Sequence, residues 1–520
     1  MPARESEPAP PRLQLTPPRA PPSDRQGILT NSAYSLVAQI SSGIFTAIIT
    51  LYLVRALVPA QYGDFALAVG VGALIATPAD FGVSSSTARF VAEHRADPHA
   101  LAAILADGVR LKLIASALAC GALAILAGPI AAAYHAPLTW PLRMIAVAVL
   151  GQNLMFLFEA SFIAARRVGP YVQVVVGESA MECCSTVLIV LLGGGMVGAT
   201  VGRAIGYTFG ASLALLSGAR MFRWPSALRR RGRRSMVGRI ARYAAPLMLV
   251  DGANALFTTV DILLIGAYLG SRQAGLFGAP TRLLTLFYYV GIAVSNGIAP
   301  RMARRGSGVE PDGAALAAGV RGLTVFYSMM LAPLVIWAKP IVDLALGGGY
   351  EGSIETMRLL SMSVLLGGLA PLVSVSANYL GDVRRRVPLM IGATLLDAAI
   401  DVVLIPRIGI ISGAIATAAA YAVMLVGHLS ICSRHVKLPF GQIAATAARA
   451  LLAAAAMAFV LALWGSDPSV PILVVGALTG AVVFLLALVL LGELSRPELT
   501  QVWLWARARA SLKGPDIKSR

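Results

Sequence analysis

The chain is 520 residues long, 57% hydrophobic and only 13% charged, with a net charge of +18 and a mean hydropathy of +0.75. Soluble domains carry about 25% charged residues, so a string of two or three soluble domains is excluded. The basic residues lie in short runs between apolar stretches rather than in one stripe, which argues against nucleic acid as the partner the charge serves.

In chain order, residues 1–27 are rich in Pro and Arg without an apolar run and are expected to form a disordered cytoplasmic tail, not a signal peptide. Apolar stretches of about 20 residues, the length that crosses about 30 Å of hydrocarbon, then recur. The first six expected spans are 30–54, 63–84, 110–134, 141–164, 171–193 and 197–219. A basic segment, 220–242, separates them from spans at 243–268, 276–299, 318–341, 357–380, 386–405 and 409–432. Two more follow at 443–464 and 470–492. The span 386–405 is the least secure by composition, because it contains Asp397 and Asp401. The last residues, from 494, form a cytoplasmic tail in which Trp503, Trp505 and interspersed Arg suit either an amphipathic surface helix or a solvated tail. The fold class expected is therefore an all-α integral membrane protein with about fourteen transmembrane helices.

Lys and Arg concentrate on the cytoplasmic side of membrane proteins. With the N-terminus inside, the pairs and runs at Arg166/Arg167, Arg220 to Arg242, Arg301 to Arg305 and Arg384 to Arg386 all fall on one side. The short outer loops hold Arg55, Arg143, Arg272, Lys339 and Arg407. This places both termini in the cytoplasm. The four cysteines, Cys120, Cys183, Cys184 and Cys432, lie in or at the ends of apolar segments, which suits packed thiols better than a disulfide framework. No cofactor or metal is indicated.

An internal repeat is legible. Leu57 to Phe65 (LVPAQYGDF) joins spans 1 and 2, and Leu269 to Phe277 (LGSRQAGLF) joins spans 7 and 8, with Leu, Gln, Gly and Phe coinciding at an offset of 212 residues. Gly198-Ala199 and Gly413-Ala414 coincide at an offset of 215, which also places Glu182 on Asp397. Six crossings restore the starting side, so the repeat implies two parallel six-helix lobes: an N-lobe at 28–219, a linker at 220–242, a C-lobe at 243–435, and an appended helix pair at 436–493. Substrate sites in such transporters lie at the repeat interface.

Several segments carry a family resemblance. They are Asn31 to Leu36 (NSAYSL), Tyr52 to Ala66 (YLVRALVPAQYGDFA), the DFGV starting at Asp80, Ala88 to Ala92 (ARFVA), Tyr243 to Met248 (YAAPLM), Asn296 to Pro300 (NGIAP) and Leu404 to Thr417 (LIPRIGIISGAIAT). Together they resemble the polysaccharide-transport (Wzx-type) family of the MOP, or MATE-like, flippase superfamily. The resemblance implies two lobes in a V around a central cavity. It also implies flipping of an undecaprenyl-diphosphate-linked oligosaccharide across the bacterial inner membrane by alternating access, coupled to an H+ or Na+ gradient. The chain has no GxxxxGK[ST] phosphate loop. Partners implied are the lipid-linked oligosaccharide, membrane lipids and the polymerase or glycosyltransferase machinery, with the transporter acting as a monomer.

Ionisable groups within a bilayer are costly and mark function by default. A lipid diphosphate crossing low dielectric is served by Arg, which stays charged and binds phosphate oxygens bidentately. The candidate cavity cations are Arg282 and Arg358 first, then Arg203 and Arg55, the last being placed equally well by snorkelling. Arg449 lies outside the repeat and suits a structural or interfacial role. The candidate ion-coupling acids are Glu182 and Asp397, aligned by the repeat, with Glu178, Asp401 and Asp261. Glu178/Glu182 and Asp397/Asp401 are i, i+4 pairs, each sharing one helix face; pairing with the arginines is the competing role. Asn31, Gln39, Gln152, Asn153, Asn254, Asn296 and Asn378 suit either sugar hydroxyls or helix–helix bonds. Pro78, Pro246, Pro333 and Pro371 are expected kinks. A multidrug or toxin cation antiporter and a lipid II flippase of the same superfamily are the alternatives. A membrane enzyme is disfavoured by the short outer loops, and a scaffold would not explain the buried charges.

Overall fold

The computed structural model describes residues 24–228, 237–302 and 311–494. The expected N-terminal tail (all but its last residues), the centre of the basic linker, the C-terminal tail from 495, and the side chains of Asn31 and Pro246 lie outside the described residues. All extended regular structure in the described residues is helical, with no strand.

The first bundle contains α1 (Asp24–Ala56), α2 (Pro59–Asp80), α3 (Val83–Glu93), α4 (Pro98–Ala133), α5 (Thr139–Ala164), α6 (Val168–Ile189), α7 (Gly195–Phe222) and the short α8 (Trp224–Leu228). The second contains α9 (Val237–Phe257), α10 (Val260–Leu269), α11 (Ser271–Ile298), α12 (Gly313–Ile336), α13 (Ala338–Ala345), α14 (Ile354–Tyr379), α15 (Val383–Ile408) and α16 (Ile411–Ser433). Then α17 (Phe440–Leu463) lies along α12, and α18 (Val470–Leu490) along α17. Met457, Leu461 and Phe484 are buried in the same cluster as Trp337, whose indole Nε1 donates to the Gly465 carbonyl at 3.2 Å.

Among the described residues, twelve helical stretches are long and apolar enough to cross a membrane, or thirteen if α9 and α10, bent by 44°, make one crossing. One of the twelve, Val168–Phe222, is 55 residues long, far more than the roughly 20 residues a crossing needs. It is broken by a π-turn over Val190–Gly194, where Gly193 has φ 91°, and its arms α6 and α7 lie side by side. A total of fourteen rests on counting those arms separately. Span 386–405 falls within Arg384–Ile408, which is apolar enough to cross despite its two Asp. The membrane-facing surface is a belt of exposed large apolar side chains, among them Ile125, Leu192, Phe459 and Leu490.

Two local features depart from expectation. The helix predicted at 110–134 begins twelve residues earlier, at Pro98, because Asp97 caps it: its Oδ1 accepts from the backbone N–H of His99 (2.9 Å) and Ala100 (3.0 Å), with Pro at the first helical position. The break in the seventh expected span lies between α9 and α10 at Thr258-Thr259, not at a proline. Both hydroxyls donate back to carbonyls of the preceding turn, Thr258 to Asn254 and Thr259 to Ala255, a competition with the helical ladder that bends helices.

The bundles meet mainly through α2, which packs against α11 and α9. Asp80, at the end of α2, is followed by Phe81 and Gly82, both left-handed (φ 49° and 64°). That turn seats Gly82 against α9, where a Cβ would lie 2.6 Å from the Ala244 carbonyl oxygen.

Candidate functional site

Between the bundles lie two cavities, of about 260 and 440 Å³, that share Val69, Arg203 and Arg282 as walls. The smaller is lined from α1 by Ser42, Thr46 and Thr50, from α2 by Tyr62, from α6 by Glu178 and Glu182, and from α7 by Tyr207. The larger adds Asp80, Gln152, Asn153 and Asp251. Polar groups therefore converge on one space inside an otherwise apolar bundle.

The glutamates owe their position to a glycine stripe. Gly202, Gly206 and Gly210 of α7 face Thr186, Glu182 and Glu178 of α6. A Cβ on them would come within 2.5 Å of Thr186 Cα, 2.5 Å of Glu182 Cβ and 2.7 Å of Glu178 Cβ, respectively. Small residues at every fourth position let helix backbones approach in a membrane. Close approach then lets Arg203 of α7 reach Glu182 at 2.6 Å and the Tyr207 hydroxyl at 3.1 Å, with its guanidinium 4.9 Å from the Tyr207 ring centre. Gln152 Nε2 donates to the same hydroxyl at 3.2 Å. Glu178 Oε2 lies 3.0 Å from Ser179 Oγ, and its Oε1 has no hydrogen-bond partner. Arg282, on α11, is exposed to both cavities, and no carboxylate pairs with it among the described residues.

The sequence profile described as "Polysaccharide biosynthesis protein" matches residues 28–305. The chain belongs to that family. A comparison with curated proteins returns no match. Among solved structures, the fold is similar to "Lipid II flippase MurJ, inward closed conformation", at 12% identity over 88% of this chain and 97% of that one, with a TM-score of 0.70. It is also similar to an inward-facing multidrug resistance MATE family transporter of the MOP superfamily (14% identity, 78% and 95% covered, TM-score 0.60). A third similar structure is the MATE multidrug transporter DinF-BH (12% identity, 79% and 95% covered, TM-score 0.58). At these identities the likeness is one of fold. The chain is thus a multi-pass membrane protein of a polysaccharide biosynthesis family, with a fold similar to that of the flippase and transporters above.

In this family member the predicted charges divide into groups. Arg203, Arg282, Glu178 and Glu182 share the central space. Arg358 and Arg55 do not, which corrects the expectation of one cationic cavity holding all four arginines. Arg358 is the fifth residue of α14, pairs with Glu355 at 2.5 Å, donates to the Val335 carbonyl at 3.3 Å, and lines a separate pocket of about 410 Å³ with Ala462 and Ser466. Arg55 ends α1 and donates to the Leu344 carbonyl of α13. In both cases a carbonyl brought near by another segment takes the guanidinium, which span position alone does not reveal.

The C-lobe acids form their own cluster inside the second bundle. Thr417 Oγ1 donates to Asp261 Oδ2 at 2.5 Å and Ser412 Oγ to Asp401 Oδ1 at 2.8 Å. Asp397 is fully buried against Asp261 and Asp401, and no donor reaches either of its oxygens. Glu182 and Asp397, equivalent in the repeat, therefore have opposite surroundings: one faces a guanidinium, the other carboxyls. No group of three or more His, Cys, Asp or Glu among the described residues is arranged to hold a metal ion.

Two further charged groups were not singled out by sequence reasoning. Lys112 of α4 is fully buried and pairs with Asp80, while Ser84 lies 2.9 Å from its amine and donates to Asp80 at 2.6 Å. Its only signal is one Lys in the apolar run LKLIAS, easily read as the basic edge of a span. Glu493, just past α18, accepts from Arg321 (2.7 Å), Thr446 (2.7 Å) and Arg449 (3.1 Å). Burial raises its pKa, but these bonds outweigh it and hold the carboxyl below its usual range. Arg449 is therefore part of a clamp fastening α17 to α12. Asn153 Nδ2 reaches the Ala76 carbonyl at 3.4 Å, and Asn378 accepts from Arg386, so these amides join helix to helix.

Proposed function

We propose that the protein flips an undecaprenyl-diphosphate-linked oligosaccharide from the cytoplasmic to the outer leaflet of the bacterial inner membrane, by alternating access of two lobes. It crosses fourteen times with both termini cytoplasmic, works as a monomer, and receives its substrate from glycosyltransferases. The observation that carries this reading is the pair of cavities sharing Arg203 and Arg282. Arg203 is neutralised by Glu182, whereas Arg282 pairs with no carboxylate among the described residues and presents its guanidinium to a space between the bundles that Glu178 and Asp251 also line. A drug-cation antiporter gains nothing from such a charge, while a diphosphate does. Family membership supports the sugar-lipid substrate. A lipid II substrate shares the diphosphate and is the alternative, supported by the fold likeness to a lipid II flippase.

The ion-coupling reading rests on Asp261, Asp397 and Asp401. Three mutually packed carboxyls without a cation repel one another when ionised. A shared proton satisfies them without a coordination shell. Protonation on one side of the membrane and release on the other would tie their packing to the lobe arrangement.

The test uses a deletion strain, in which lipid-linked repeat units are expected to accumulate on the inner leaflet. Complementation with Arg282→Ala should lower flipping about ten- to hundred-fold, the loss of one charge-assisted phosphate contact worth about 1.5–3 kcal/mol, with normal membrane insertion and partial rescue by Arg282→Lys. Full activity of Arg282→Ala would sink the phosphate reading. Accumulated lipid II in place of a repeat unit would select the alternative.

A further inference from the structure

At the basic end of the first bundle, away from the central cavities, is a cleft of about 1420 Å³. Five arginines from separate segments line it: Arg95 from the α3–α4 turn, Arg110 from α4, Arg166 and Arg167 from the α5–α6 turn, and Arg223 from the α7–α8 turn. All five are exposed. Among the described residues Asp107 is its one acidic lining residue, and it pairs with Arg110 at 3.4 Å. Of the acids on adjoining turns, Glu93 pairs with Arg89 and Asp97 caps α4. Among the described residues Arg95, Arg167 and Arg223 face no carboxylate, and they make the space cationic. The rule that basic residues collect on one side of a membrane requires a side, not convergence on a cavity.

Two observations show that the convergence is built. Arg95 Nε donates to the Ala164 carbonyl at 3.0 Å, fastening the α3–α4 turn to the end of α5. Arg166 and Arg223, which follow the ends of α5 and α7, are both left-handed, with φ 58° and 51°. That position normally belongs to glycine. An arginine there accepts backbone strain, and it does so at both helix ends facing the cleft.

The depth of the cleft is read from the exposed apolar belt. On α4 the belt begins at Leu113, less than one turn beyond Arg110; on α5 it reaches Ile163, and Arg166 and Arg167 follow; on α7 it reaches Leu216, two turns before Arg223. Three helices thus put the arginines at the edge of the hydrocarbon, where lipid phosphates lie. The wall also contains apolar groups, Leu101, Met221 and Phe222.

We propose that this cleft binds the headgroup phosphate of an anionic phospholipid of the adjoining leaflet. A surplus of guanidinium favours a net-negative head over a zwitterionic one, whose ammonium it repels. The apolar wall receives the glycerol and first methylenes. A bound lipid would bridge the α3–α4, α5–α6 and α7–α8 turns and so brace the first bundle at this end.

The test uses the full-length protein in neutral detergent micelles, titrated with dihexanoyl phosphatidylglycerol, dihexanoyl phosphatidylcholine or inorganic pyrophosphate while the melting temperature is followed. The expected result is a saturable rise with phosphatidylglycerol and none with the other two. In Arg167→Gln/Arg223→Asn, where Asn tolerates the left-handed backbone, the apparent affinity should fall about ten-fold or more per guanidinium lost. If that variant does not fold, Arg167→Gln alone should show the smaller, single-residue loss. An unchanged response in the variant that folds, or equal stabilisation by phosphatidylcholine, would overturn the site. Equal stabilisation by pyrophosphate would overturn the lipid as its occupant.

Discussion

Gly63 and Gly275, 212 residues apart, press their backbones against each other's chains in a near-symmetric contact. A Cβ on Gly63 would lie 1.8 Å from the Ser271 carbonyl oxygen and 2.8 Å from Gly275 N; one on Gly275 would lie 1.9 Å from the Pro59 carbonyl oxygen and 3.0 Å from Gly63 N. Pro59 and Ser271 are themselves related by the same offset. The repeated turns therefore meet about a pseudo-two-fold axis and close one end of the central space, while Gly82, in the α2–α3 turn, packs against Ala244 of α9 toward the other.

Gly63→Ala is expected to destabilise this closed arrangement by about 1–3 kcal/mol, the usual cost of overpacking, and to shift the protein toward a state open at the repeated turns. A spin-label pair, one label on each turn, should report a longer distance in the variant. An unchanged distance with unchanged stability would refute the contact.

The glycine stripe on α7 leads to a contrast between sites. Gly206→Ala, which meets the Glu182 backbone, should lower the melting temperature and displace Glu182 from Arg203. Gly121→Ala, in α4 where nothing lies within 4 Å, should be neutral or stabilise by up to about 1 kcal/mol, because the unfolded chain loses freedom and the helix gains propensity. Equal effects from the two would show that α6 and α7 are not in close approach.

The clamp at Glu493 gives a third expectation. Glu493→Gln removes the charge shared by Arg321 and Arg449 and should cost about 1.5–3 kcal/mol, as for hydrogen bonds to an ionised group. The loss should appear in thermal unfolding and in faster proteolysis at the α16–α17 connection. Arg282 lines the central cavities and shares no partner with this clamp, so its substitution should leave that proteolysis rate unchanged.

Asp382 provides a pH dependence. It lies between α14 and α15 and is held below the usual carboxylate range, first by its hydrogen bond with His435 (2.6 Å) and further by Arg385 and Arg434. A depressed folded pKa means that the stabilisation is complete above the ordinary value of 3.8 and is lost as pH falls through the lower folded value. The difference in melting temperature between the native chain and Asp382→Asn should therefore shrink as the pH falls below about 4. A difference that grows on acidification below that pH would reverse the assignment.

Hydropathy and charge were sufficient to read the membrane class, the positions of the helices, the repeat and the family resemblance, because each is a property of residues near one another in sequence or at a constant offset. Arg203 and Arg282 could be picked out as cavity candidates for the same reason: a charge in the middle of an apolar run has few places to go. The tertiary structure decided which charges share a space. Arg358 and Arg55 are taken by carbonyls on other segments, Lys112 vanishes into a pair with Asp80, and Glu493 joins two arginines from distant helices. It also decided how closely helices approach, through glycines at 63, 275, 202, 206 and 210 that look alike in sequence to the unconstrained Gly121 and Gly128. Burial cost is summed locally along a helix, whereas the partner that offsets it comes from whichever backbone the packing brings within hydrogen-bond distance.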